Sequence, residues 1–164
     1  MGDWGGTVPS FTAGQVLTAA DLDTIADILT ALTGDWSPWT PSLTNLTAGS
    51  TPVVARYRRI GHTVDWYFRF GFSSGAAVGS NQRFTLPIPM HPSIAVAASG
   101  FPGEGSLLDT GNARRQPLLV VVDAQTVEIR FWNSTPTDQV VTATAPWTWA
   151  TGDKIDLWGV YEGA

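Results

Sequence analysis

Apolar and polar side chains alternate along several short segments of this chain, most clearly in residues 62–72. Val64, Trp66 and the phenylalanines at the following even positions would lie on one face of an extended strand, with Asp65 and Arg69 on the other. A period of two indicates a strand with one buried face. Gly61 separates this strand from an extended segment over 53–60, which predicts a tight hairpin. Further strands are predicted within residues 83–89, 93–101, 116–123, 126–133, 138–153 and 154–164.

About seven or eight short strands joined by turns predict an all-β protein, specifically a β-sandwich of jelly-roll type with an extended N-terminal arm and one α-helix. The continuous apolar run in residues 116–123 is typical of a strand covered on both faces. The Gly-rich stretch 102–115 interrupts the strand rhythm and is predicted to be a long loop, a place where β-scaffolds often carry function.

One segment near the N-terminus, residues 16–34, has a helical period instead. Thr18 and Asp21 have the spacing of a capping box, and Gly34 stands where a helix would end. A helix this short is marginal alone in water, so its apolar stripe needs a surface to pack on. That stripe consists of Leu22, Ile25, Leu29 and Leu32.

The N-terminal part differs from the rest in composition, which suggests two regions: an arm with the helix (1–35) and a head (36–164). Residues 1–35 contain five aspartates and no Lys or Arg, and so account for the whole formal net charge of −5. Trp4 and Phe11 are large apolar residues in this arm, and a free tail seldom carries such residues without a place to bury them. Residues 1–35 are therefore predicted to serve attachment or oligomerisation.

Composition excludes several classes of function. There is no cysteine, so disulfides and cysteine-based metal sites are ruled out. The sequence has no basic face for nucleic acid and no apolar run of the roughly 20 residues that span a membrane. It also lacks the basic start and apolar run of a secretion signal, so we expect a protein made in the cytoplasm that leaves the cell by another route such as lysis.

The sequence carries no recognisable catalytic constellation. His62 and His91 stand apart from any HxH or HExxH spacing, and no GxSxG or GxGxxG motif occurs. Asp65, Glu128 and Asp156 are mid-strand acids opposite an apolar face, where solvated acids are expected. We therefore predict no enzymatic activity, no cofactor and no metal.

The eight tryptophans are the strongest chemical signal. Aromatic rings stack on sugars, but they also fill sandwich cores and subunit contacts, and core filling is the favoured interpretation. Trp132 stands apart from the close Trp pairs 36/39 and 147/149. Together with Arg114 and Arg115 in the predicted loop, it is the candidate surface for a host-surface glycan.

The order of motifs along the chain resembles that of bacteriophage tail-fibre and virion surface proteins. The resemblance begins with "FTAGQVLTAADLDTI" and the "WSPWTPSL" entry, continues through "ARYRRIGHTVDWYFRFGF" and "LPIP", and closes with "PWTWATGDKIDLWGVYEGA". It implies a trimeric β-sandwich head held on a capsid or tail by an N-terminal segment. It implies no catalytic residues.

We therefore expect a structural protein of a bacteriophage virion, a homotrimeric decoration, minor capsid or fibre-head protein that contacts other virion proteins. The alternative is a carbohydrate-binding module of the phage tail that recognises the host. The helix stripe would pack on sister subunits or on the virion, or it would fold back over its own sandwich.

Overall fold

The computed structural model describes residues 10, 12–94, 102–111, 113–132 and 137–164. The side chains of Ala31 and Leu32 are not among the described parts. Within these ranges the chain forms one helix, α1 (Ala19–Thr33), and eleven strands. The strands are β1 (Ser37–Pro38), β2 (Leu43–Thr47), β3 (Val54–Ile60), β4 (Thr63–Gly71), β5 (Ala77–Thr85), β6 (Glu104–Asp109), β7 (Ala113–Arg115), β8 (Pro117–Val121), β9 (Thr126–Trp132), β10 (Asp138–Val140) and β11 (Lys154–Glu162).

The strands form two antiparallel sheets that pack face to face. The six-stranded sheet has the order β1-β3-β4-β11-β6-β7. In the five-stranded sheet β2 pairs with β5, and β9 pairs with β5, β8 and β10. Phe68 of one sheet stacks on Phe84 of the other with ring centroids 4.6 Å apart. The predicted all-β sandwich with one helix is thus confirmed. Its connections include the within-sheet hairpins β3–β4, β6–β7 and β8–β9 as well as crossings between the two sheets, for example from β4 to β5 and from β5 to β6.

The predicted hairpin around Gly61 is confirmed as β3–β4. Gly61 has φ +59°, the left-handed region that glycine enters without a Cβ clash. The even positions from Val64 to Phe72 are all buried, as the alternation indicated. The C-terminal strand β11 lies against β4 along its whole length and against β6 on its other edge, burying Ile155, Leu157 and Tyr161.

The prediction of a long loop over residues 102–115 is wrong, because the described part of this stretch forms the hairpin β6–β7. The glycines that suggested a loop are needed for close strand contact. A Cβ on Gly105 would collide with the backbone of Asp156 in β11, and a Cβ on Gly103 would collide with the backbone of Trp158. Leu107 provides the buried apolar side chain of β6.

Two other segment predictions are corrected. The composition of residues 34–52, rich in Pro, Thr and Ser, indicates a linker entering a first strand, yet this segment contains both β1 and β2. β8 was expected to be covered on both faces, but only one of its two faces is fully buried. Its burial alternates: Leu119 and Val121 are buried, and Leu118 and Val120 are half-buried. The strand expected at 93–101 lies almost wholly outside the described residues.

The helix forms as predicted, with the capping box at Thr18. The Thr18 side chain accepts a hydrogen bond from the Asp21 amide at 3.2 Å, and the Asp21 carboxylate accepts one from the Thr18 amide at 2.9 Å. The helix adds nothing to the described core, whose first member along the chain is Trp39. Among the described residues, the apolar core of the head is thus formed from Trp39 onwards.

Candidate binding face on the six-stranded sheet

The outward side of the six-stranded sheet carries the polar half of the strand alternation, and we call it the outer face. Register aligns Arg56, Tyr67, Trp158 and Glu104 in one row across β3, β4, β11 and β6. Arg58 and Asp65 form the next row, and Arg69 and Asp156 lie in the row on the opposite side. Side chains directly opposite on an antiparallel pair are close enough to interact.

Two ion pairs lie on the outer face. Arg58 Nε is 2.6 Å from Asp65 Oδ2. Arg69 holds Asp156 with two contacts, Nε to Oδ1 at 2.5 Å and Nη2 to Oδ2 at 3.2 Å. The side chains are partly exposed, so each pair contributes at most about 1 kcal/mol to stability. Their importance lies in the orientation they impose on the arginines.

Cations and aromatic rings alternate along the outer face in a series that we call the arginine–aromatic ladder. Its members are, in order, Arg58, Trp36, Arg56, Tyr67 and Arg69. Trp36 lies between two guanidinium groups, with Cζ of Arg58 5.5 Å and Cζ of Arg56 5.9 Å from its ring centroid. Tyr67 lies between Arg56 at 5.7 Å and Arg69 at 5.6 Å. These distances are within the range of cation–π attraction.

Charge along the ladder is compensated at its ends and not at its centre. Asp65 pairs with Arg58 and Asp156 pairs with Arg69. Arg56 contacts the rings of Trp36 and Tyr67, and among the described residues no carboxylate pairs with it. The middle guanidinium therefore keeps its hydrogen-bond donors for solvent or a ligand.

An open groove of about 410 Å³ lies beside the ladder. Its lining includes Trp36, Arg56, Asp65, Tyr67 and Trp158. Trp36 and Trp158 are 43 % and 41 % exposed, which is high for indole side chains. The Trp158 Nε1–H donates to Glu104 Oε1 at 3.2 Å, so this ring is held in place while its surface stays accessible.

Two members of the ladder, Tyr67 and Arg69, have raised pKa values. Partial burial, followed by the nearby Asp156 carboxylate, raises the pKa of Tyr67 above its usual value. The Tyr67 hydroxyl donates to Asp156 Oδ1 at 3.2 Å. The hydrogen bond to Asp156 raises the pKa of Arg69 as well. Around neutral pH, Tyr67 is therefore a neutral phenol beside the charged Arg69.

The outward side of the five-stranded sheet is built differently. Glu128 is only 3 % exposed and lies between Arg83 at 3.0 Å and Arg130 at 2.8 Å, and Arg130 also reaches Asp138 at 2.7 Å. The expectation that Glu128 is a solvated acid is therefore wrong, because its position in the central strand β9 lets two long arginine side chains cover it. Asp65 and Asp156 are likewise paired. In this network each cation has a carboxylate partner.

The predicted attachment residues fall on the helix and the arm. Leu22 and Leu29 are 53 % and 57 % exposed, and Ile25 is half-buried. The side chain of Leu32, and Trp4 and Phe11 entirely, lie outside the described residues. The apolar stripe is thus present and, where described, largely uncovered.

The predicted ligand residues Trp132, Arg114 and Arg115 lie at one edge of the sandwich. Trp132 ends β9 and is 52 % exposed. Arg114 and Arg115 are exposed in β7, separated by Gln116 alone from β8, whose Pro117 pairs with Phe131. The chain brings Arg115 and Trp132 to the same corner. No contact between them is among the described interactions, so the structure does not assemble them into a site.

Sequence reasoning missed the ladder, although part of its signal was visible. The alternation in β4 placed Asp65, Tyr67 and Arg69 on one face. Finding Arg56 and Trp158 beside Tyr67 requires the register of three strands, and β11 reaches β4 from the far end of the chain.

No family model matches this chain, and neither a curated protein nor a solved structure is similar to it. Within the described ranges, no group of three or more His, Cys, Asp or Glu side chains is placed to hold a metal ion. The helix of the described chain is too short to cross a membrane. His91 shares a 2.7 Å hydrogen bond with Ser93 Oγ, and His62 is exposed at the β3–β4 turn.

Proposed function

We propose that this chain is a non-enzymatic structural protein of a bacteriophage virion, a β-sandwich head that is displayed by its N-terminal segment and assembles as a homotrimer. The observation that carries the proposal is the exposed apolar stripe on a well-capped helix outside a core that is closed without it. The outer surface of the head remains available to other virion proteins or to the host. Assembly through residues 1–35 gives the stripe a partner that the described residues do not supply.

The energetics favour a partner for the helix. Full burial of a leucine side chain contributes roughly 1.5–3 kcal/mol, so covering the exposed half of Leu22 or Leu29 contributes about 1 kcal/mol each. A 15-residue helix is marginal when isolated in water. Three copies that bury their stripes together stabilise both the helices and the assembly.

The virion assignment is supported by the order of motifs along the chain, from the helix through the tryptophan-rich entry to the closing strand. A sandwich head with an N-terminal segment is the arrangement that this likeness implies. The acidic face of the segment suits a basic surface on a virion partner, since charge complementarity guides docking.

Light scattering on two forms of the protein tests the assembly. The full-length chain should have a mass three times that of the 17.5 kDa protomer. A chain of residues 36–164 should stay folded, because the described core starts at Trp39, and should be monomeric. A full-length monomer at micromolar concentration would contradict the proposal, and so would a trimeric truncated head.

A second candidate, a carbohydrate-binding module of the phage tail, is favoured by the 52 % exposure of the Trp132 side chain at the end of β9. Trp132→Ala should then abolish the signals of the full-length protein on a glycan array. Signals that survive this change would exclude Trp132 as the contact.

A further inference from the structure

We propose that the groove beside the arginine–aromatic ladder binds a carboxylated sugar, such as a uronic or nonulosonic acid, whose carboxylate pairs with Arg56. The site differs from the Trp132 corner and lies outside the helix. The proposed sugar site is therefore independent of the trimeric assembly proposed above, and each can be tested without the other.

The first argument is the uncompensated cation. Arg58 and Arg69 are neutralised by carboxylates of the protein, whereas Arg56 between them has none among the described residues. Arg56 is exposed, and the rings of Trp36 and Tyr67 flank it. A guanidinium group recognises a carboxylate through two parallel N–H···O bonds. A ligand carboxylate would give Arg56 the ion pair that Arg58 and Arg69 already form with Asp65 and Asp156.

The second argument is the presence of acceptors close to the cation. Asp65 lines the groove and uses Oδ2 for Arg58, so Oδ1 is left without a described partner. Glu104 likewise uses Oε1 for Trp158. These oxygens accept hydrogen bonds from hydroxyl groups and repel a second negative charge. The groove therefore suits a ligand with one carboxylate and several hydroxyls better than a polyacidic peptide.

The third argument is the aromatic platform and its size. The indole of Trp158 is fixed by Glu104 and carries no guanidinium among its described contacts, which leaves a ring surface for the apolar side of a sugar. Ligand sites combine such apolar surfaces with a few placed polar groups, and volumes of roughly 300–1,000 Å³ are usual. A groove of about 410 Å³ has room for one or two sugar rings.

An NMR titration of the full-length protein tests the site. The probes are methyl glucuronide, methyl galacturonide and N-acetylneuraminic acid, each beside its methyl ester, which keeps the sugar and removes the charge. We expect at least one acid to shift the indole signals of Trp36 and Trp158, and its ester to bind about tenfold more weakly or worse, since a charged hydrogen-bonded pair is lost. Absence of shifts with all three acids, or equal binding of acid and ester, would overturn the proposal.

Matched variants assign the binding to Arg56. Arg56→Gln should weaken the acid about tenfold or more and leave the ester unchanged. Lys154→Gln removes the same charge from β11, four residues from Trp158, and should bind like the wild type. Equal losses in both variants would indicate a general charge effect and overturn the assignment. A diglutamate peptide that shifts the same signals at lower concentration than every sugar would overturn the ligand class.

Discussion

Phe68 in β4 is completely buried, whereas Leu29 in α1 keeps 57 % of its surface exposed, although each belongs to the apolar side of a regular element. In the head, two sheets supply apolar faces to each other, and residues from Trp39 to Tyr161 form one core. The helix has a regular stripe and a complete capping box but no described surface to cover the stripe. Local sequence signals therefore mark where the helix begins and ends, whereas burial of its stripe needs a partner.

Phe68→Ala should give the largest effect in this comparison. It removes a ring stacked on Phe84, and large truncations of this kind cost about 3–5 kcal/mol of the free energy of unfolding. Leu29→Ala should change the unfolding of the head by less than about 0.5 kcal/mol, since the side chain touches no part of the described core. Urea unfolding followed by tryptophan fluorescence measures both. Similar losses in the two variants would mean that the helix belongs to the core of the head.

Glu128→Gln should have an intermediate effect. It leaves Arg83 and Arg130 without their shared carboxylate, and losing one partner of a charged hydrogen-bonded group costs about 1–3 kcal/mol. Asp156→Asn on the outer face is the control, because its exposed partner Arg69 can turn to water, and we expect a loss of less than about 1 kcal/mol. The same urea experiment compares them. An equal cost for both would show that the two outward faces do not differ in their electrostatics.

The smallest expected effect is the loss of the Thr18–Asp21 capping box at low pH. Hydrogen bonds from the Thr18 backbone and side chain lower the pKa of Asp21 below its usual 3.8. A carboxyl whose pKa is lowered on folding stabilises the helix above the usual pKa, and this contribution is lost as pH falls through the lowered value. The Thr18 amide signal in NMR should therefore move below about pH 4, while the core signals stay in place. In Asp21→Asn this movement should be absent. An unchanged Thr18 signal in the wild type at low pH would contradict the capping box.

The elements that the sequence predicted correctly are those in which a regular strand or helix period decides which side chains are buried. β4 alternates strictly between buried and more exposed positions, β11 does so over most of its length, and both strands were predicted, as was the helix with its cap. The glycines in residues 102–115 were wrongly interpreted as loop residues. Gly103 and Gly105 instead allow the backbone of β11 to approach closely. That role depends on a strand from the other end of the chain.

The candidate site was predictable only in part, for the same reason. The polar side of β4 was visible, but the ladder also needs Trp36 from the entry segment and Arg56 from β3. The burial of Glu128 also depends on neighbours in other strands. Long-range register, and not local pattern, decides which charges meet.

The account depends most on whether the helix stripe is an assembly surface. Leu29→Asp and Thr30→Asp place the same charge at neighbouring positions of α1, one in the stripe and one outside it; Leu29→Asp also lowers the helix propensity by about 0.5 kcal/mol. Light scattering at micromolar concentration should give three times 17.5 kDa for the wild type and Thr30→Asp, and a single 17.5 kDa chain with a folded head for Leu29→Asp. If Leu29→Asp keeps the mass of Thr30→Asp, the stripe is not the surface through which this protein assembles.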